Sequence, residues 1–334
     1  MNGIDVISRF KFVGNKGEAK LPLIFLDVNM QSLWMLVASF LFSIMGVCVK
    51  LASAYYSTAE IVAYRGFIGM LVIFSIVKWQ GGTLRTGMAR DHLWRGVVGV
   101  TALWLWFYSI ASLPLAMAVT LNYMSPIWIA VILFVSAWWH NKKSLSPIML
   151  LAIFLGFVGV VLLLRPSIHA DQIVGGVLAL ISGMLAALAY MQVRKMGLLG
   201  EPEYRVVFYF STVCAVAGLL GTTMSGVLTT QASPSWHPHH VEGMLLLLVV
   251  GLTAASAQVA MTRAYRLGNT LVTANLQYVG IVFSSIWDVL IWHDTLHWLS
   301  WLSIGVILSS GLIATFYNAR NNQLRVNADP IGSE

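Results

Sequence analysis

The stretch "NLQYVGIVFSSIWDVLIW" places Asn275, Tyr278, Ser285 and Asp288 at spacings of 3, 7 and 3 within otherwise apolar sequence. Those spacings put all four on one face of a helix. An amide, a phenol, a hydroxyl and a carboxylate are groups that bind a polar small molecule, and Asp288 is the one group here able to carry a proton. A second set lies at Thr120, Asn122 and Tyr123, followed by Pro126. Proline lacks an amide hydrogen and clashes with the carbonyl four residues back, here that of Asn122. The result is a kink whose freed carbonyl serves a cavity wall or a packing contact. Thr101, Trp104 and Tyr108 share a third face, suited either to stacking against a flat cargo or to helix packing. Gln258 and Gln277 add donors and acceptors, with interhelical hydrogen bonding as the alternative role, favoured for Gln277.

Arg65 is a permanent cation with a planar fork that matches a carboxylate. Together with Lys50, Glu60 and Asp288 it crowds one level of the chain, and mutual pairing is expected because unpaired charge in a membrane is costly. Glu60 is five residues from Arg65 on the same helix, a poor spacing, so Asp288 is the expected partner. Six of the eight histidines, among them His169, His293 and His297, fall on the outer side, and the run "WHPHHVEG" resembles a metal-binding tract. Metal ligation needs fixed geometry, and a Pro-rich loop without cysteine reads as solvated instead. No metal and no cofactor are expected. Intramembrane Ser–His or paired-Asp sets are missing from the sequence, as is GxxxxGK[ST], so neither an enzyme nor direct use of ATP is implied.

These groups need elements to hold them. The chain is 58% hydrophobic and only 10% charged, against about 25% charge in soluble domains. Ten nearly uncharged apolar runs read as spanning helices: Leu33–Leu51, Thr58–Lys78, Leu93–Ser112, Ala116–Ser136, Leu145–Leu164, Ile173–Val193, Val206–Ser225, Val241–Met261, Leu271–Trp292 and Trp298–Tyr317. Threaded with the N-terminus inside, 17 of the 20 basic residues fall on the inner side, which predicts that both termini are cytoplasmic. The net charge of +7 is therefore orientation and not a nucleic-acid surface. Trp34, Trp79, Trp94, Trp138, Trp139, Trp292 and Trp298 fall at run ends, where such rings favour the interface. Cys48 and Cys214 lie inside runs, so no disulfide framework is implied.

"GVTALW" at 99–104 returns as "GLTAAS" at 251–256. Val49-Lys50 matches Val193-Arg194, Tyr123 matches Tyr278, and Gly159 matches Gly311, at offsets of 144 to 155. Two units of five helices each must enter the membrane with opposite orientation, an arrangement common in transporters, with the site where the halves meet.

The stretches "YSIASLPLAMAVTLNYMSPIWIAVI" and "AQVAMTRAYRLGNTLVTANLQYVGIVFSSIWDVLIW" resemble EamA-like permeases of the drug/metabolite transporter superfamily over about residues 31–318. Family members carry Gly-Glu near the end of the ninth helix, where this chain has "WHD" at 292–294. The resemblance implies an all-α integral membrane protein, a ten-helix basket around a central cavity. It divides the chain into a cytoplasmic tail (1–30), two five-helix repeats (31–165 and 173–318) and a second tail (319–334). It also implies a secondary permease for amino acids, related metabolites or drugs in a bacterial cytoplasmic membrane. A channel-like ion facilitator on the same scaffold is the alternative, and a non-transporting scaffold the third. The expected partners are a small-molecule substrate and the lipid bilayer, with no nucleic acid and no obligate protein.

Overall fold

A computed structural model describes residues 21–112, 121–139, 146–164, 173–228, 236–293 and 298–328. The elements are α1 (Leu21–Ala52), α2 (Thr58–Trp79), α3 (Ala89–Ser112), α4 (Ser125–Trp139), α5 (Pro147–Leu164), α6 (Ile173–Leu198), α7 (Glu203–Leu228), α8 (Val241–Leu267), α9 (Thr270–Leu276), α10 (Val279–Trp292) and α11 (Trp298–Ala328). All are helical. Thr120, His169 and His297 lie outside the described residues, as do the side chains of Asp288 and Trp292.

Seven helical segments among the described residues are long and apolar enough to cross a membrane. The protein is an integral membrane protein. α4 and α5 are shorter apolar helices, and part of the fourth expected run lies outside the described residues. α3 has 24 residues, about 36 Å of helix, but Arg90, Asp91, His92 and Arg95 make its first turns polar. α1 begins at Leu21, so helix occupies part of the stretch expected to be a tail. Pro22 sits in its first turn, where a missing amide costs nothing. α11 likewise runs on to Ala328, past the expected boundary at 318.

Small residues set the packing. α1 packs mainly against α8, α2 against α7, α3 against α6, and α5 against α11. A Cβ on Gly66 would lie 2.6 Å from the Ser211 carbonyl oxygen, and one on Gly218 2.6 Å from the Ala63 Cα. The α2 and α7 backbones are thus in contact, as small residues permit between membrane helices. Outward faces are apolar: Phe67, Leu71 and Phe74 on α2, Leu245, Leu248 and Leu252 on α8, and Leu308, Leu312 and Phe316 on α11 are all exposed. Lipid is the solvent for these stripes.

Polar pairs tie the ends. At the basic end, Lys195 donates to Asp91 (2.9 Å), Arg266 pairs with Glu203 (2.9 Å), and buried Glu201 takes His92 (2.9 Å) and Arg205 (3.5 Å). Burial would raise the Glu201 carboxyl, but bonds from His92 and Thr86 and the charges of His92 and Arg205 hold it below its ordinary value. At the far end, Ser57 and Glu60 form a capping box on α2, which satisfies two amides that a helix start leaves open. Glu60 has no exposed surface and pairs with His237, not with Arg65: it accepts from the His237 backbone N–H (2.7 Å) and bonds the ring Nδ1 (2.8 Å). Tyr64 contacts His239 Nε2 (2.9 Å). The histidine loop is therefore docked on α2 and not simply solvated. No group of three or more possible metal ligands occurs among the described residues.

Candidate functional site

Two helix breaks define the middle of the bundle. The expected ninth span divides at Gln277–Tyr278 into α9 and α10, with i→i−3 bonds from Gln277 N to Ala274 O and from Tyr278 N to Asn275 O (3.2 Å each). Asn269 starts α9, its Oδ1 accepting from Leu271 N and Val272 N. The other break is a turn at Tyr123–Met124 immediately before α4. Pro126 cannot donate to Asn122 O, and that carbonyl faces α6, where a Cβ on Gly183 would stand 2.9 Å from it. The Asn122 amide donates to Ser182 Oγ (2.8 Å), which donates to the Ala102 carbonyl (2.8 Å).

The breaks touch each other. Gln277 Nε2 donates to Ser125 Oγ (3.4 Å), and the Tyr123 hydroxyl reaches Gly280, where a Cβ would lie 3.1 Å from it. Tyr123 packs against a core of Tyr278, Val160 and Ile281. Tyr278 is fully buried and its hydroxyl makes no hydrogen bond. Asn275 donates to Ser310 Oγ (3.5 Å) while its Oδ1 is unpartnered. Tyr265 is stacked on Tyr190 at 5.3 Å, and its hydroxyl is also open. Gln258 and Ser285 are buried on α8 and α10. Open donors and acceptors in a dry interior are expensive unless water or a ligand satisfies them.

Arg65 and a second arginine, Arg95, complete this interior. Arg65 lies 5.5 Å from the Phe210 ring centroid and Arg95 lies 4.1 Å from the same centroid. Arg65 Nη1 reaches Cys214 Sγ at 3.5 Å. Arg65 Nε, Arg95 Nε and Arg95 Nη1 have no hydrogen-bond partner. Gly99 makes room: a Cβ there would run into Arg95 Nη1 and lie 2.9 Å from Phe210 Cε2.

The structure thus brings Arg65, Asn122, Tyr123, Gln258, Asn275, Tyr278 and Ser285 into the interior. The Asp288 side chain, expected to pair with Arg65, lies outside the described residues. Thr101, Trp104 and Tyr108 do not join them. They continue an exposed stripe that begins with Leu93, Trp94 and Val97. Thr101 bonds its own helix at Val97 O (2.9 Å), and the Trp104 ring lies over Gly221 of α7. Helical spacing alone puts residues on one face without saying what that face meets. Sequence reasoning also missed Arg95, Tyr190 and Tyr265. By the charge rule Arg95 belongs with the basic flank of its span, and Gly99 one turn on is the signal that something large packs there.

A profile of the EamA-like transporter family matches residues 29–165. The pseudopaline exporter CntI of Pseudomonas aeruginosa is 33% identical over 262 residues, 77% of this chain and 86% of that one. The S-adenosylmethionine uptake transporter of Rickettsia conorii is 23% identical over 257 residues, 76% of this chain and 81% of that one. A protein of known crystal structure shares the fold with a TM-score of 0.71 at 18% identity, over 86% of this chain and 98% of that one.

Proposed function

Because the chain belongs to the EamA-like transporter family, and so is a transporter and not an enzyme, we propose that it moves a small organic metabolite by alternating access through the interior between its two helix breaks. Such a cargo is an amino acid, a related compound or a drug. The observation that carries this reading is the concentration of open polar groups there: the hydroxyls of Tyr265 and Tyr278, Asn275 Oδ1, and nitrogens of Arg65 and Arg95. The relatives are named for export of pseudopaline and for uptake of S-adenosylmethionine, so the family spans both directions and cargo is set by the site.

The proposed architecture is ten spans in two inverted repeats, 31–165 and 173–318. Helix packing supports it. An inverted two-fold that exchanges α1 with α6 and α3 with α8 turns the α1–α8 pair into the α6–α3 pair, and both are extensive. It returns the α2–α7 and α5–α11 pairs to themselves, and these are the other two major contacts. The breaks at Tyr123 and Tyr278 are equivalent under the same operation. The basic end is assigned to the cytoplasm of a bacterial inner membrane, with both termini on that side.

An untargeted metabolite comparison of cells with and without the protein, followed by uptake of the affected compound in proteoliposomes, tests the proposal. Saturable, protein-dependent flux supports it. Non-saturable cation flux without organic competition replaces it with the channel reading.

A further inference from the structure

Among the described side chains, the interior carries two arginines, Arg65 and Arg95, and no carboxylate in contact with either. Arg65 is 5% exposed and Arg95 3% exposed, and neither guanidinium can shed its proton. Both lie within 5.5 Å of one ring centroid, so their central carbons are at most about 10 Å apart. The acids on surrounding elements whose side chains are described are all engaged elsewhere. Glu60 is held by His237 and Ser57, Asp91 by Lys195 and Gln192, Glu201 by His92 and Arg205, and Glu203 by Arg266. Glu242 is at the far end of α8 against Tyr55. What faces the arginines instead is the Phe210 ring, the Cys214 thiol and the Tyr190 phenol.

A structural arginine in this same protein looks different. Arg194 Nη1 is fixed on the carbonyls of Tyr265 (3.4 Å) and Gly268 (3.1 Å), closing the end of α8. Arg205 is fixed on the Thr83 carbonyl (3.0 Å) as well as Glu201. The faces of aromatic rings attract a guanidinium far too weakly to offset its desolvation. Two like charges so placed also repel each other, and a bound anion would relieve that repulsion.

We infer that Arg65 and Arg95, both beside the Phe210 ring, are the cargo-selecting pair and take a small organic anion with two carboxylates a few ångströms apart. This rests on the transporter reading and names its substrate class. Each fork offers parallel N–H donors to one carboxylate, and a separation of at most about 10 Å suits a short-chain dicarboxylate. A lone carboxylate satisfies one arginine and leaves the other bare, so a monocarboxylate binds weakly. Arg65 enters from the far end of the bundle and Arg95 from the basic end, so the cargo is gripped by both sides at once.

The test uses the full-length protein in nanodiscs. Calorimetric titrations with succinate, glutarate and adipate are compared with acetate and glycerol 3-phosphate at matched ionic strength. Succinate or glutarate should bind saturably and at least about tenfold more tightly than acetate. Arg65→Gln and Arg95→Gln should each weaken that binding by about tenfold or more. Their apo melting temperatures should hold or rise, because an uncompensated buried charge has been removed. Arg65→Lys and Arg95→Lys, which keep the charge and lose the fork, should also bind weakly. Arg263→Gln, at a site bonded to Gln31, should bind as wild type. No saturable dicarboxylate binding, a preference for glycerol 3-phosphate, or wild-type binding by both glutamine variants would each overturn the inference. So would a large fall in apo melting temperature in both glutamine variants, the mark of structural arginines. Saturable metabolite flux in proteoliposomes from the same preparation would leave the transporter reading intact in any of these cases.

Discussion

Replacing Glu60 should release the outer histidine loop. The carboxylate has no exposed surface and accepts from Ser57 N–H (2.7 Å) and His237 N–H (2.7 Å), with the His237 ring at 2.8 Å. A hydrogen bond to a charged acceptor contributes about 1.5–3 kcal/mol. The Ser57 bond caps α2, so the two bonds to His237 hold the loop, together about 3–6 kcal/mol. The freed loop rehydrates on opening, which returns part of this and leaves roughly 3 kcal/mol of docking free energy in Glu60. At 1.4 kcal/mol per tenfold, Glu60→Ala should raise the open fraction on the order of 100-fold. Cys48 and Cys214 are buried, so a Pro238→Cys reporter can be labelled against low background. Pro238 is exposed in the docked loop, so that label, a membrane-impermeant maleimide, reports the side on which the loop lies. Opening is read by hydrogen exchange at the His237 amide, which Glu60 accepts from and which should exchange faster by that factor in Glu60→Ala and by less in Glu60→Gln, which keeps one acceptor. His237→Ala combined with Glu60→Ala should be non-additive, since both remove the same contact. Unchanged exchange at the His237 amide in Glu60→Ala, or full additivity, would refute the docking argument.

Three further outcomes follow from the geometry. Glu201 is held below its ordinary value in the folded protein, so its contribution is complete above the unfolded value of about 4.3 and lost as pH falls from there through the folded value. A melting-temperature series should therefore fall on acidification in wild type and be flatter, from a lower plateau, in Glu201→Gln. Gly99→Ala drives a methyl into Arg95 and Phe210, costing about 1–3 kcal/mol of stability by overpacking. Thermal unfolding should register that loss and flux assays a larger fractional loss of transport. Gln80→Cys, on the turn after α2, should label only from the cytoplasmic side, opposite to Pro238→Cys.

What the sequence discloses here depends on what each residue's signal is about. Apolar runs report a solvent, so the seven long apolar helical segments among the described residues fall on runs located from composition alone. Pro126 reports a backbone defect directly, and the break before α4 is found beside it. The matching break at Gln277–Tyr278 has no proline, and the apolar run Leu271–Trp292 passes straight through it; only the pairing of Tyr123 with Tyr278 points to that level. Periodicity reports a face without its direction. The stripe of Thr101, Trp104 and Tyr108 has the spacing of a cavity wall and lies with exposed Leu93 and Val97, because lipid and cavity both accept aromatic rings. Arg95 was obscured by the charge rule itself: it sits six residues into α3, near enough to the basic flank to be counted with it. The Glu60–His237 bond joins residues 177 apart in the chain, and no local pattern announces such a contact.

The central claim is that the arginine-lined interior between the two breaks carries cargo. Its most direct test is uptake, in proteoliposomes, of the metabolite identified by comparing cells with and without the protein. Wild type and Arg263→Gln should show the same saturable uptake, and Arg95→Gln should lose it by about tenfold or more while remaining folded. Equal uptake by wild type and Arg95→Gln would contradict the claim.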